Sequence, residues 1–350
     1  MTHVHFIGIG GTGLSAIARL LLEMGTTISG SDRVLSPFAA KLQADGATIF
    51  TGHRAENVAG ADWVVRSSAI PDDNPEVMEA QARGIPVYKR AETLGRLMQD
   101  KIGIAVAGTH GKTTTTAMIA WMLHALGRDP SFIVGSEISK LNTNAHAGQG
   151  STFVIEADEY DRMFLGLKPY YAVVTNIEHD HPDCYPTFGD MYSAFEAFAS
   201  LLPKEGTLIA CLDDPAASAL LNSVHKAGRN VVGYGLQTEM APSVPRWTLG
   251  RNLVPNSRGG FDFEAYSNLF PGSIPVSLQV PGKYNAQNSL AALSVAALLG
   301  LSPMEAVRAL NEFPGTARRF EVIGEAKGVT VINDYGHHPT EIRATLAAVR

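Results

Sequence analysis

The stretch that most constrains this chain is Val106-Ala107-Gly108-Thr109-His110-Gly111-Lys112-Thr113-Thr114-Thr115-Thr116. The apolar run Ile102–Ala107 reads as a buried strand. Residues 113–126 read as a helix, with Met118, Ile119, Met122, Leu123 and Leu126 at helical spacing. A glycine turn ending in Gly-Lys-Thr between such elements aims backbone N–H groups at a polyphosphate, and the helix N-terminus adds to the field. Lys112 adds a point charge on the outer phosphates, and the Thr113 hydroxyl suits Mg²⁺. The spacing is short. The usual motif places its first glycine five residues before the Gly-Lys, and that place holds Val106. The competing reading is a plain glycine turn, which leaves the order of strand, Gly-Lys-Thr and helix unexplained.

A second glycine turn lies near the N-terminus. Residues 4–9 form an apolar strand leading into Gly8-Ile9-Gly10-Gly11-Thr12-Gly13. A helix follows with Leu14, Ile17, Ala18, Leu21 and Leu22 on one face, then a strand at 26–29 and Gly30-Ser31-Asp32. This is a βαβ unit with G-x-G-x-x-G at its first turn and an acidic residue about 20 positions on. It suits NAD, and equally the pyrophosphate of a UDP-sugar. Alternation continues to about residue 98: strand Trp63–Arg66, loop Ser67-Ser68-Ala69-Ile70-Pro71, helix 74–83, strand 85–88 and helix 92–98. Ligands sit at the carboxyl ends of parallel strands, which makes Ser67 and Ser68 candidate contacts. As turn or cap residues they need no ligand.

Past the phosphate turn, strands at 131–134 and 152–155 lead to Glu156-Ala157-Asp158-Glu159-Tyr160-Asp161. A strand at 171–175 leads to Asn176-Ile177-Glu178-His179-Asp180-His181-Pro182-Asp183. Acidic runs are commonly solvated loops. Two of them at strand ends beside Gly-Lys-Thr favour a hard-cation site for Mg²⁺ with oxygen ligands and one imidazole. Helices at 187–201 and 215–227 alternate with strands at 207–210 and 231–234. Residues 247–280 change to β-hairpins around Gly259-Gly260. Pro281-Gly282-Lys283-Tyr284-Asn285-Ala286-Gln287-Asn288 opens a helix to 299, and residues 303–311 form another. Residues 313–316 read as a linker, followed by a hairpin and a helix from about Pro339.

Composition bounds the function. The 350 residues exceed one typical domain, and 45% hydrophobic with 18% charged is ordinary for a globular protein. A net charge of −6 argues against nonspecific nucleic-acid binding. Two cysteines, Cys184 and Cys211, make no disulfide framework and fit a reducing compartment. No run reaches the ~18–20 apolar residues of a membrane span. The N-terminus lacks a basic leader, so the expected location is cytoplasmic. The expected fold is α/β: a Rossmann-like parallel-sheet domain at 1–99, a P-loop ATPase-like domain with added β-hairpins at 100–314, and the start of a third Rossmann-like domain at 315–350.

Together these residues resemble the Mur ligase family, the ATP-dependent amino-acid ligases of peptidoglycan synthesis. The resemblance runs over essentially the whole chain. It is carried by His5-Phe6-Ile7-Gly8-Ile9-Gly10-Gly11-Thr12-Gly13, Ser67-Ser68-Ala69-Ile70, Gly108 to Thr114, and Asp334-Tyr335-Gly336-His337-His338-Pro339-Thr340-Glu341. The short phosphate loop is the family's own pattern. The chain looks most like members that join L-alanine to UDP-N-acetylmuramate. Tyr160 is a departure, typical instead of the related ligase that recycles murein tripeptide, which stays open as the alternative. A dehydrogenase and a non-catalytic UDP-sugar-binding protein are the readings from other classes.

The resemblance implies ATP and Mg²⁺ as cofactors, UDP-N-acetylmuramate and L-alanine as substrates, and a role in cell-wall biogenesis, cell shape and division. It implies ATP contacts from Gly108, Thr109, His110, Gly111, Lys112, Thr113, Thr114, Asn285, Asn288, Arg319 and Asp334. Lys112, His181 and Arg319 would be catalytic. Thr113, Glu156 and His181 would hold metal. Gly10, Gly11, Thr12, Gly13, Ser31, Asp32, Ser67 and Ser68 would hold the UDP substrate. Several Mur ligases carry a carbamylated lysine fifteen residues beyond the metal histidine. Glu196 stands there and is expected to turn its own carboxylate to the metal. The expectation is also that only the beginning of the third domain is present, that most of the alanine pocket lies outside the chain, and that the chain does not turn over as it stands. The exposed apolar face of the last helix, Ile342, Leu346 and Val349, is expected to lie open.

Overall fold

In the computed structural model, residues 2–236 and 244–349 are described. The first sheet is built from β1 (His3–Ile7), β2 (Thr27–Asp32), β3 (Thr48–Thr51), β4 (Trp63–Arg66) and β5 (Val87–Lys89). Helices α1 (Thr12–Glu23), α2 (Pro37–Ala44), α3 (Pro75–Ala82) and α4 (Arg90–Leu97) connect them or follow. All five strands are parallel in the order β3-β2-β1-β4-β5. The chain runs outward from β1 on one side, then returns to its other side at β4. The crevice over the ends of β1 and β4 is the topological switch point at which open parallel sheets take their ligands.

β1 stops at Ile7 rather than at residue 9. Gly8 and Ile9 both donate their N–H to Ser31 O, at 2.8 and 3.1 Å, which turns the chain off the sheet. Sequence reading missed α2 and β3. α2 is short, with Pro37 in its first turn and Ser36 capping Ala39 N. β3 has four residues, none of them buried.

The second sheet is larger. Its elements in chain order are β6 (Ile102–Ala107), α5 (Lys112–Ala125), β7 (Ser131–Ile138), β8 (Thr143–His146), β9 (Thr152–Glu156), β10 (Tyr171–Val174), α6 (Phe188–Ser200), β11 (Thr207–Cys211), α7 (Pro215–Lys226), β12 (Asn230–Gly235), β13 (Trp247–Pro255), β14 (Phe261–Ser267), β15 (Ser273–Ser277), α8 (Lys283–Leu298) and α9 (Pro303–Asn311). The strand order is β15-β14-β13-β12-β11-β10-β6-β9-β7-β8. Strands β13 to β7 in that order are parallel, and antiparallel pairings extend both edges.

Both faces of the parallel part are covered, which is why its strands are near-continuous apolar runs. Val174, Ala172 and Leu208 pack with Phe195, Phe198 and Leu220 from α6 and α7. Val173, Val106 and Ile209 pack with Met118, Ile119 and Leu290 from α5 and α8. The Trp121 indole donates to Ala309 O at 2.8 Å and ties α5 to α9.

After the linker, β16 (Glu321–Ala326) and β17 (Val329–Asn333) form a two-stranded antiparallel sheet, followed by α10 (Pro339–Val349). No described residue of α10 is buried, and Ile342, Leu346 and Val349 are exposed as expected. No helix among the described residues is long and apolar enough to cross a membrane.

Candidate functional site

β6 lies between β10 and β9, so the loop after it emerges between the carboxyl ends of two further parallel strands. The chain crosses to one side of β6 and later to the other, the switch in topology that opens a ligand crevice. Gly108 starts the loop at φ +138°, and a methyl there would stand 2.0 Å from Thr175 Oγ1. Only glycine fits. The loop is laced to the end of β10. Thr109 N donates to Asn176 O at 3.1 Å, and His110 N to Asn176 Oδ1 at 2.8 Å. The Thr175 hydroxyl and the Asn176 amide both donate to His110 O, at 2.6 and 3.0 Å. The loop shape is thus fixed by the next strand.

Lys112 projects under this loop. Its ammonium donates to Gly108 O at 2.6 Å, Thr109 O at 3.1 Å and Glu159 Oε1 at 2.8 Å, using all three N–H groups. Burial pulls the Lys112 ammonium down, yet the carboxylates of Glu159, Glu156 and Asp158 outweigh it and hold it above its ordinary value. Burial pushes the Glu159 carboxyl up, with Lys112 working against it.

The Thr113 hydroxyl donates to Glu156 Oε1 at 3.1 Å, and Glu156 Oε2 accepts from Gly135 N at 2.7 Å. His181 Nε2 stands 3.7 Å from Glu159 Oε1. Glu159 Oε2 is buried without a hydrogen-bond partner. Adjacent hydroxyl and carboxylate oxygens, with one orphaned carboxylate oxygen near them, fit a hard cation such as Mg²⁺. Arg319 reaches in from beyond the linker, its Nη2 3.3 Å from Thr113 Oγ1 and its Nη1 3.8 Å from Glu341 Oε1.

A cavity of about 1050 Å³ opens over the loop, lined among others by Gly111, Thr114, Asn285, Asn288 and Arg319. Asn285 Nδ2 donates to Pro281 O at 2.6 Å, and Asn288 Nδ2 to Asn285 Oδ1 at 3.0 Å, so the two amides form a chain at the start of α8. Asp334 also lines the cavity, but its carboxylate accepts from Phe320 N at 2.8 Å and Gly336 N at 2.7 Å. It shapes its own turn here.

Two expectations need correction. Glu196 does not turn to the metal cluster. It is exposed on α6, whose buried face is Met191, Ala194, Phe195 and Phe198, and no ion pair joins its carboxylate to the loop among the described residues. Ser31 is fully buried, and its hydroxyl donates to Glu76 Oε2 at 2.6 Å and meets His53 Nδ1 at 2.9 Å. It supports the first glycine turn from below and does not face the crevice.

The rest of that turn lies just past the carboxyl end of β1. Gly10 N donates to Asp32 Oδ2 at 2.8 Å. Gly11 and Thr12 are exposed at the mouth. Ser67 N donates to Ile7 O at 3.1 Å, which holds the Ser67-Ser68 loop beside the turn. Sequence reading missed Arg90. Its guanidinium lies so close to Gly13 that a methyl there would stand 2.5 Å from Cζ, and Nη1 is 3.9 Å from Asp158 Oδ2. Arg90 thereby spans the first glycine turn and the acidic loop after β9, and no local motif marks it.

Three family models match the sequence: "Mur ligase family, catalytic domain" over residues 3–102, "Mur ligase middle domain" over 106–296, and "Mur ligase, glutamate ligase domain" over 318–350. The chain belongs to the Mur ligase family. Among its curated relatives, UDP-N-acetylmuramate--L-alanine ligase of Renibacterium salmoninarum is 46% identical over 99% of this chain and 72% of its own length. The ligase of the same name from Acidobacterium capsulatum is 45% identical over 99% of this chain and 74% of its own. Among solved Mur ligases, the UDP-N-acetylmuramate-alanine ligase of Thermotoga maritima has a TM-score of 0.81 at 29% identity, covering 100% of this chain and 77% of that one. A murein peptide ligase of Psychrobacter arcticus has a TM-score of 0.82 at 27% identity, covering 100% and 76%.

Proposed function

We propose that this Mur ligase joins L-alanine to UDP-N-acetylmuramate at the expense of ATP, in the cytoplasm, as a step of peptidoglycan precursor synthesis. The observation that carries the reading is the 45–46% identity, over 99% of this chain, with relatives named as alanine-adding ligases, taken with a short phosphate loop that faces Glu156 and Glu159.

The chemistry brings two anions together. The substrate carboxylate attacks the γ-phosphorus of ATP, ADP leaves, and an acyl phosphate forms. The alanine amine then attacks the acyl carbon and inorganic phosphate leaves. The main demand is electrostatic, namely holding the anions in line and countering charge as it develops. Lys112 stands at the loop with its charge secured by Glu159. Since its three donors are spent on the loop and on Glu159, an incoming phosphate takes the place of a loop carbonyl on Nζ. Arg319 brings a second cation to the Thr113 side. Thr113, Glu156 and His181 would hold Mg²⁺, which neutralises phosphate oxygens when bound. Asn285 and Asn288 are offered to the base at the far side of the cavity. The UDP moiety is assigned to the turn from Gly10 to Gly13, with Arg90 beside its pyrophosphate.

Tyr160 supports a second reading, recycling of the murein tripeptide. Its ring lies 5.1 Å from that of His181, and its hydroxyl donates to Asp183 at 3.0 Å. Phosphate release with UDP-N-acetylmuramate, ATP and Mg²⁺ should depend on L-alanine. Release that responds instead to L-alanyl-γ-D-glutamyl-meso-diaminopimelate would select the second reading, and release with neither would overturn both.

A further inference from the structure

A second set of donor groups converges beside the same cavity, joined to Thr113 through Glu341 and Arg319. His110 comes from the phosphate loop, Glu178 from the segment after β10, and His338 from the lead-in to α10. One ligand atom from each lies within 4.8 Å of the others. His110 Nε2 is 3.0 Å from Glu178 Oε2, and His338 Nδ1 is 4.0 Å from that same oxygen. The two imidazole rings stand 4.7 Å apart.

The hydrogen bonds around this trio are of the kind that aim metal ligands. His110 Nδ1 faces Glu341 Oε1 at 3.2 Å, and Nε2 shares a proton with Glu178 Oε2 at 3.0 Å, a proton that the ion would displace on binding. The Thr340 hydroxyl donates to Glu178 Oε1 at 2.9 Å and so turns Oε2 inward. A carboxylate behind the histidine and a hydroxyl behind the glutamate give two of the three groups a defined orientation.

We propose that His110, Glu178 and His338 form a binding site for a zinc-type transition-metal dication. Two imidazoles with one carboxylate make a donor set that zinc-like ions accept with a fourth position left for water or phosphate. Mg²⁺ prefers oxygen donors and is served by the Thr113–Glu156 pair instead. The ion would fasten the lead-in to α10 onto the phosphate loop, since His338 belongs to one and His110 to the other. The competing account is that His110 bridges the carboxylates of Glu178 and Glu341 while His338 Nδ1, which accepts from Thr340 N at 3.3 Å, holds the start of α10; it leaves the convergence of the three donor atoms without a role.

The test is Co²⁺ titration of the full chain in excess Mg²⁺, read by visible d–d absorption. One equivalent should bind. His338→Ala and Glu178→Gln should each weaken binding at least about tenfold, and Glu341→Gln by roughly 10–100-fold as the group orienting a ligand. His181→Asn should leave the spectrum unchanged, and Zn²⁺ should displace Co²⁺. Absence of a d–d band would overturn the site. So would a band that survives both His338→Ala and Glu178→Gln, or is lost in His181→Asn. A sulfur-to-cobalt charge-transfer band would also overturn it, by assigning the ion to a cysteine.

Discussion

Arg319 and Thr113 stand 206 positions apart in sequence and 3.3 Å apart in space, guanidinium to hydroxyl. A residue beyond the linker thus completes the charge around the phosphate loop. We predict that Arg319→Ala weakens MgATP binding by roughly 10–100-fold, the worth of a hydrogen bond to a charged group. UDP-N-acetylmuramate binding should stay within twofold, ~0.4 kcal/mol on the usual affinity scale. Calorimetric titration with each ligand separates the two. Equal losses in both would refute two independent nucleotide sites.

Lys112 and Glu159 form a buried pair, 14% and 1% exposed. Removing one partner of such a pair costs about 3–5 kcal/mol because the other charge is left uncompensated. Lys112→Ala should therefore lower the melting temperature as well as abolish ATP-dependent phosphate release. Adding Glu159→Gln should restore most of the stability and none of the activity. Recovery of activity in the double variant would show that Lys112 serves only to neutralise Glu159.

Beneath the first glycine turn, Glu76 is fully buried and accepts from Ser31 at 2.6 Å and Asn57 at 2.6 Å, with His53 at 3.0 Å and His5 at 3.7 Å. Burial alone would push its carboxyl up. The pull of His5, Ser31 and Asn57 outweighs this and holds it at about 2 against an ordinary 4.5. A carboxyl depressed in the folded state contributes stability that is complete above pH ~4.5 and is lost as pH falls towards ~2, on the order of 3 kcal/mol in all. Glu76→Gln should destabilise the protein at pH 7 and flatten the acid limb of its stability curve in that window. An unchanged acid limb in urea titrations would rule out this source.

Glu196 offers the opposite outcome. Since it is exposed on α6, Glu196→Ala should change melting temperature and Mg²⁺ dependence very little, within about 0.5 kcal/mol. A shift in the Mg²⁺ requirement of phosphate release would mean that α6 turns towards the metal in the working enzyme.

Much of the fold was legible because its signals are local. The apolar run Ile102–Ala107, Gly-Lys-Thr and the capped helices show in single windows of sequence, and β4 and α9 fall where the pattern puts them. The acidic stretches at Glu156 and Glu178 could be placed beside the loop because both follow buried parallel strands. What was not legible depends on partners far apart in the chain. Arg90 matters through Gly13 and Asp158, a contact that only folding creates. The resemblance places Ser31 at the UDP substrate, but strand alternation within β2 turns its side chain down onto Glu76. Glu196 failed for a related reason, since counting residues along a helix does not fix which way the helix faces.

The contacts that close the phosphate loop bear on the order in which the protein folds. Thr340 reaches Glu178 across 162 positions, and Arg319 reaches Thr113 across 206. Contacts of such separation form after the local ones, since loop closure must precede them. During synthesis from the N-terminus, the first sheet is complete long before Arg319 emerges, so the crevice at Gly10 to Gly13 can form before the surroundings of Lys112 are finished. Pulse-labelled hydrogen exchange during refolding should protect β1 and β4 amides before the amides of Thr109 and His110. Simultaneous protection would mean that the two sheets condense together.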